Sequence, residues 1–439
     1  MKTLLTFAVG LCALVLNNAT VFALDGMIGI HDPSTVIQCD GRYYVFGTGR
    51  GIPILSSSNG FDWERSGKVF DKIPDSVKAY VPKNDGAGVW APDVIKVGGQ
   101  FYLYYAVSFW GSFVSAVGLV TSPTLDTNSP DYKWTDRGMV VHSSEGEDLN
   151  AIDPGVCLAP DGTLWICYGS YHGNIELVQL DAKTGLRIAT NSPVSIVANH
   201  SEAADIIFHG GYYYLLVNHG SCCQGTNSSY NIRMGRAKKI TGPYLDRQGE
   251  DLAAGAGTLF LAAEGENIGP GHFGLLSDDG VEKFSCHYEG VIGRAGRSIL
   301  DIRPLRWTLD GWPMAGDNLP GGTYQIRSER SGMVLQTTTN GVRSTAYLAR
   351  DFQKWMITPA GAGFYKIINT QSGNGLAAVG DTVEAAAFTG ANNQLWKIDE
   401  LTDGSYRIAS KSGGLALTGG NSLKVFTGDE AQAWVVTAP

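Results

Sequence analysis

Charge is scarce in this chain: Asp, Glu, Lys and Arg make up 17% of its 439 residues, and the formal net charge is −9. Clusters of Lys and Arg are missing, which argues against nucleic acid and anionic membranes as partners. Long apolar runs are missing too, except at the start. There Lys2, an apolar run over 4–16 and Val21-Phe22-Ala23 read as a secretory leader, residues 1–23, with a small-residue cleavage site. That run is too short to span a bilayer. Leu11 stands before Cys12, where a lipoprotein leader needs a small residue. Cleavage removes Lys2 and no acid, so the net charge of −9 becomes −10. The expected product is secreted, extracellular or periplasmic, and monomeric.

Cysteine is thin as well, seven in all and six after the leader, with no CxxC spacing that would suit zinc. Cys157 and Cys167 sit in apolar strand patterns and read as buried thiols. The adjacent Cys222 and Cys223 fall in a loop, either as two free thiols or as a strained vicinal disulfide. HExxH and the P-loop are absent, and Gly47-Thr-Gly-Arg-Gly51 is too weak a pattern for a phosphate loop. No long amphipathic helix is legible. What abounds is glycine (57), tyrosine (19) and tryptophan (10), a composition suited to an all-β chain with many tight turns.

Two internal repeats organise the sequence. The first has five copies: His31-Asp32-Pro33-Ser34, Trp90-Ala91-Pro92-Asp93, Ala151-Ile152-Asp153-Pro154, Ser201-Glu202-Ala203 and Gly269-Pro270-Gly271-His272. Each is followed by a glycine turn and an aromatic or apolar strand, at the spacing of four-stranded propeller blades. This predicts a five-bladed β-propeller over residues 24–318, with the start of every inner strand near one axis. The second repeat has three copies, opening at Tyr324, Tyr365 and Tyr406 and closing on Gln353-x-Trp355, Gln394-x-Trp396 and Gln432-x-Trp434. Three such units predict a β-trefoil over 319–439.

Radial repetition would gather Asp32, Asp153 and Glu202 in one pocket. Glycoside hydrolysis needs two carboxyl groups flanking the scissile bond, one protonated and one ionised. A third nearby carboxylate helps keep the acid protonated, because like charges raise each other's pKa. Single Asp residues at strand starts often do no more than close an Asx-turn, and a metal-only reading of the three acids stays open. Asp93 is left without a chemical role and is expected to be structural.

These phrases, with Cys222-Cys-Gln-Gly-Thr-Asn-Ser-Ser-Tyr-Asn-Ile-Arg-Met-Gly-Arg236, Thr241-Gly-Pro-Tyr244 and Gly269-Pro-Gly-His272, resemble glycoside hydrolase family 43, and within it the arabinan-cleaving members. The resemblance spans about residues 28–315. It implies an inverting enzyme for α-L-arabinofuranosyl linkages in a polysaccharide or oligosaccharide. Asp32 would be the general base, Glu202 the general acid, and Asp153 the group that orients the acid and raises its pKa. It also implies that His272 holds an ion, calcium or another, through water, with no organic cofactor. Trp90, Phe109 and Trp110 are candidate walls for stacking on sugar faces. Ser115 falls where the family makes polar contacts, and Arg297 and Arg303 are candidate cationic contacts or else structural ion-pair partners. The C-terminal unit resembles the ricin-type trefoil of carbohydrate-binding module family 13. It lacks the sugar-binding Asp of each repeat, around Gln336, Ala378 and Thr418, so packing against the propeller is the competing role. Alternatives are a family 43 enzyme for another sugar, such as a β-xylosidase or β-galactofuranosidase, or a non-catalytic carbohydrate-binding protein.

Overall fold

The computed structural model describes residues 24–189, 194–293, 297–339 and 341–439. The leader, 1–23, lies outside the described residues. The chain is almost wholly β. The sole α-helical turn among the described residues is Asp75–Lys78.

Five sheets follow one another along the chain, each of four antiparallel strands in sequence order, and in the first the short strand Asp25–Gly26 adds parallel to Asp62–Lys68. Their first strands are Ile37–Cys39, Val89–Val97, Gly155–Leu158, Glu202–His209 and Asn267–Asp278, which open blades I to V. These strands line the axis, and contacts join neighbouring blades into a ring, blade III to blade IV through Cys167 Sγ and Ala204 O (3.2 Å). Asp93 of blade II accepts from Thr35 N of blade I (3.0 Å) and from Val156 N of blade III (2.9 Å). Asn218 of blade IV donates to Pro270 O of blade V (3.0 Å), and Asp32 N donates to His287 Nδ1, which returns from blade V to blade I (3.2 Å). The N-terminal segment closes the ring: Ile30 N donates to Ser298 O and Leu300 N to Ile28 O, adding residues 28–30 beside the third strand of blade V. The propeller of five blades is therefore as the repeat predicts. Between neighbouring blades the facing side chains are apolar, as in the cluster of Phe46, Ile54, Val94, Leu103 and Tyr105. Such continuous burial on both faces explains strands without clean alternation.

The repeat itself has a sharper definition in the structure than in the sequence. Asp32, Ala91, Asp153, Ala203 and His272 all have positive φ, between 38° and 53°. In blades II, IV and V this left-handed residue sits in a bulge of the inner strand. A bulge re-aims the side chains on either side of it. Asp93 and Glu202, aligned by sequence with Asp32, are thus two residues after and one residue before the true repeat position. The place two residues after it sits against the neighbouring blade: a Cβ on Gly155 would lie 2.0 Å from Ala204 O, and one on Gly274 would lie 2.7 Å from Thr35 Cα. Asp93 occupies that inter-blade place, which accounts for its structural role.

Residues 322–437 form a twelve-stranded unit with internal three-fold repetition. Trp355, Trp396 and Trp434 are fully buried at its centre, each donating its indole N–H to the carbonyl of Leu335, Leu376 or Leu417 (2.9–3.0 Å). The three repeat glutamines do the same job in each unit. Gln353 accepts from Leu348 N, Gln394 from Thr389 N and Gln432 from Thr427 N, and they donate to the carbonyls of Ala346, Ala387 and Val425. The repeated phrase here is a folding device, since each side chain satisfies loop groups that would otherwise be buried unpaired. Leu319, before the first strand, already packs in this core.

Candidate active site

The left-handed turns at Asp32 and Asp153 and the bulge at Glu202 bring three carboxyls to a cavity of about 420 Å³ at one end of the axis. Trp90, Phe109, Trp110 and His272 line it too. Trp110 is 76% exposed and stands edge-on to Trp90 (ring centroids 5.9 Å apart), forming an aromatic wall at the mouth. Of the ten residues singled out by sequence, seven therefore meet in one pocket.

Three do not. Ser115 is fully buried behind the wall, 2.6 Å from Asn150 Oδ1 and 2.9 Å from Ser108 Oγ. Asn150 lines the cavity, so Ser115 supports a contact residue and is not one itself. Arg303 is a structural ion-pair partner: it is buried and bonds Glu264 (2.8 Å), Asp317 (2.6 Å) and Gly316 O (2.9 Å). It thereby clamps the last blade to the segment leading to the trefoil. Arg297 is exposed and lies outside the cavity lining, in a segment held by the Ile30–Ser298 pairing.

The protonation environments of the carboxyls differ in kind. Burial would raise the pKa of Asp32, but His272, His31 and His287 outweigh it and hold the group well below the carboxylate range. His31 Nδ1 is 2.8 Å from Asp32 Oδ2, Thr48 donates to the same oxygen at 2.6 Å, and His272 Nδ1 is 3.1 Å from Oδ1. His31 also reaches Glu289 Oε1 through Nε2 (3.2 Å). With a carboxylate at each nitrogen, the imidazole carries both protons; burial would lower its pKa, yet Asp32 and Glu289 raise it overall.

Glu202 is in the opposite state. Burial, with Asp32, Cys223 and Glu289 nearby, pushes its pKa up to about 7 against the hydrogen bond it accepts from Tyr230. Asp153 is also raised well above the usual range, by burial first and then by Glu202 and Asp32. It accepts a hydrogen bond from Ala203 N (3.3 Å), so it fixes the backbone beside Glu202.

Sequence reasoning passed over His31, Tyr230, His287 and Glu289. His31 stood inside the first phrase. His287 and Glu289 alternate within the apolar strand Val281–Val291, and two polar residues buried on one face of such a run were the available signal. His287 accepts from Asp32 N at Nδ1, so its proton sits on Nε2, 3.4 Å from Glu289 Oε1. Cys222 and Cys223 line the pocket as free thiols.

Known proteins place this geometry. A relative named an extracellular exo-α-(1→5)-L-arabinofuranosidase, from Cellvibrio japonicus, is 35% identical over 70% of this chain and 92% of its own length. One named extracellular endo-α-(1→5)-L-arabinanase 1, from Bacillus subtilis, is 36% identical over 65% of this chain and 87% of its own. The crystal structure of an exo-1,5-α-L-arabinanase from a bovine ruminal metagenomic library superposes with a TM-score of 0.63 at 37% identity, covering 67% of this chain and 99% of that one. Residues 305–380 and 351–434 match ricin-type β-trefoil lectin-like domains. Residues 28–313, the propeller with its three carboxyls, match the glycosyl hydrolases family 43, and to that family this chain belongs.

Proposed function

We propose that this hydrolase cleaves α-L-arabinofuranosyl linkages of arabinan by inversion, with Asp32 as general base and Glu202 as general acid. The observation that carries this is the contrast within one cavity between Asp32, held ionised by His31 at 2.8 Å and Thr48 at 2.6 Å, and the buried Glu202, whose pKa is pushed up to about 7. In a single displacement, Asp32 takes a proton from the attacking water while Glu202 gives one to the leaving oxygen. Asp153 is a positioning residue: it accepts from Ala203 N and so holds the backbone that carries Glu202. The extracellular naming of the relatives supports residues 1–23 as a secretory leader.

Phe109 and Phe113 belong both to the catalytic cavity and to a second one of about 940 Å³ lined by Tyr80 and His172. Phe113 and His172 stack with ring centroids 3.6 Å apart, so a flat wall continues away from the carboxyls. A polymer can therefore lie across blades II and III. The product profile on linear arabinan, debranched arabinan and aryl furanosides tests the reading. Arabinose alone indicates exo action and mixed oligomers endo action. No release from any of the three overturns the assignment to arabinofuranosyl linkages.

The pH profile follows from the same groups. Glu202 must be protonated to act, and its pKa is near 7. The turnover rate should fall as pH rises through about 7 and stay high well below it, because Asp32 remains ionised. The Tyr230 hydroxyl stabilises the ionised form of Glu202, so Tyr230→Phe should move the alkaline limb to higher pH.

An ion beside His272 also fits the donors. Nε2 of His272 is buried without a partner, its Nδ1 faces Asp32 Oδ1 at 3.1 Å without a well-formed hydrogen bond, and Asp32, His272 and His287 bring donor atoms within 4.8 Å of one another. His287 is already committed at both nitrogens, and calcium prefers oxygen ligands, so His272 and Asp32 would hold the ion largely through its water shell. A bound divalent ion would supply positive charge that favours the ionised form of Asp32. Elemental analysis should find one ion per chain, and chelation should lower activity. A metal-free enzyme with full activity would remove the ion from the mechanism.

A further inference from the structure

The loop that carries Cys222 and Cys223 projects over the catalytic cavity, and neither the acid nor the base requires a thiol. Its ends are pinned: Ser221 N donates to Ser229 Oγ (3.0 Å), Ser229 N to Ser221 O (3.1 Å), and Ser228 Oγ to Ser221 O (2.7 Å). Cys223 has φ of +64°, a left-handed conformation uncommon for a residue with a side chain. It sets both thiols on the pocket side, where the two sulfurs and a carboxylate oxygen of Glu289 lie within 4.8 Å of one another. Cys223 Sγ is 4.0 Å from His31 Nε2. Glu289 is only 2% exposed, and His31 and His287 fix its orientation, the supporting contact that carboxylate ligands of metals usually have.

We propose that Cys222, Cys223 and Glu289 form a binding site for a thiophilic divalent ion, Zn²⁺ or Cd²⁺, at the mouth of the catalytic pocket, and that its occupancy blocks hydrolysis. Two sulfurs and one oxygen are a borderline-soft set that suits these ions and not calcium or magnesium. A tetrahedral ion with Zn–S of about 2.3 Å and Zn–O of about 2.1 Å needs its donors less than about 4 Å apart, so small side-chain rotations complete the site. Cys223 is exposed, which leaves an entry path and a fourth position for water. The exchange is balanced without an oxidant: two thiols lose their protons to solvent as two metal–sulfur bonds form. The ion then stands where substrate must enter, and its bond to Glu289 weakens the hold of Glu289 on His31, the imidazolium that braces Asp32.

The other four cysteines of the propeller, Cys39, Cys157, Cys167 and Cys286, are buried, so the two loop thiols can be titrated selectively. The full-length enzyme, kept reduced by a phosphine, is titrated with CdCl₂ while the near-ultraviolet thiolate-to-metal charge-transfer band is followed. One equivalent should saturate the band. Cys222→Ser/Cys223→Ser should lose it, and Cys223→Ser alone should weaken binding. In a parallel titration with ZnCl₂, hydrolysis by the native chain should fall in proportion to occupancy. The rate of the double variant, whatever its basal level, should not respond. The inhibition arm rests on the glycosidase reading above, whereas the band reads the site alone. An absent band, or a band that persists in the double variant, overturns the site. A saturated band with undiminished hydrolysis overturns the block at the pocket mouth.

Discussion

Glu202→Gln should abolish hydrolysis of arabinan while leaving the fold intact. The amide has the size of the carboxyl and still offers an oxygen to the Tyr230 hydroxyl, so the bond between them has a replacement. What is lost is the only proton that can reach the leaving oxygen from this side chain. General acid catalysis contributes about 10²–10⁴-fold, and arabinan, whose leaving group is a poor one, should show the upper end of that range. An aryl furanoside with an acidic phenol as leaving group needs little protonation, so its loss should be much smaller. Asp32→Asn removes the base and should depress both substrates alike. Comparing kcat for the two substrates in the two variants separates acid from base. Equal losses on both substrates for Glu202→Gln would take the acid role away from Glu202. The alkaline limb near pH 7 should also vanish in Glu202→Gln, because the group that titrates there is gone.

The roles of the two carboxyls come from what burial does beside different neighbours. Both are buried, which alone favours the neutral form of each. Asp32 has a doubly protonated His31 at 2.8 Å and a donating Thr48 at 2.6 Å, which reverse that tendency. Glu202 has one hydrogen bond, from Tyr230, and faces Asp153 and Asp32. Two adjacent places in the repeat, the left-handed residue at Asp32 and the residue before it at Glu202, therefore yield opposite chemistry in different blades. The blade at Ala91 has no side chain able to titrate, and Asp93 two residues later is spent on backbone N–H groups of blades I and III.

Much of this was legible in the sequence, and the reasons are specific. Asp32, Asp153, Glu202 and His272 were readable because a radial fold turns a linear repeat into a ring of neighbours. The trefoil was readable because Gln-x-Trp performs a folding task three times over. The register of the first repeat was misread at Asp93, since a bulge inserts a residue without leaving a compositional mark. Arg303 was ambiguous because an arginine that clamps two carboxylates and one that binds sugar look alike until Glu264 and Asp317 are seen beside it. Glu289 was hidden by distance: it lies 258 residues from His31 along the chain, and only ring closure makes them partners.

Asp399→Ala should destabilise the protein by about 3–5 kcal/mol, because it removes the centre of a buried charge network that joins trefoil to propeller. From blade V, Lys283 reaches Asp399 Oδ1 (3.0 Å) and Asp278 Oδ2 (3.2 Å). From the trefoil, Arg407 bonds Asp399 (2.7 Å) and Asp279 of blade V (3.0 Å), and Lys397 bonds Asp278 (3.0 Å). Tyr43 of blade I adds a donor to Asp278 at 2.6 Å. Three acids and three bases balance, so deleting Asp399 leaves the buried Lys283 with Asp278 alone, which it shares with Lys397, and the buried Arg407 with Asp279, whose carboxylate is largely exposed. Asp278 lies six residues beyond His272 on the same inner strand, about 20 Å at strand rise. The loss should therefore appear in urea or thermal unfolding, with hydrolysis of a small aryl furanoside at 25 °C little changed. The polar side chains near the expected trefoil sugar sites are themselves spent internally, Gln336 on Thr345 and Gln353, and Thr418 on Ala416 O and Gln432. Docking is thus the trefoil's best-supported task. Acid linkage gives a second reading of the same seam. The pKa of Asp278 is held at about 2 and that of Asp399 is depressed as well, in each case by the neighbouring cations overcoming burial. Groups whose folded pKa is lowered stabilise the protein above their unfolded pKa, near 4, and lose that contribution as pH falls toward the folded value. Native protein should lose stability steeply between about pH 4 and pH 2, and Asp399→Ala should show a shallower loss over that interval. Identical acid slopes with unchanged unfolding midpoints would show that the seam contributes no net stability.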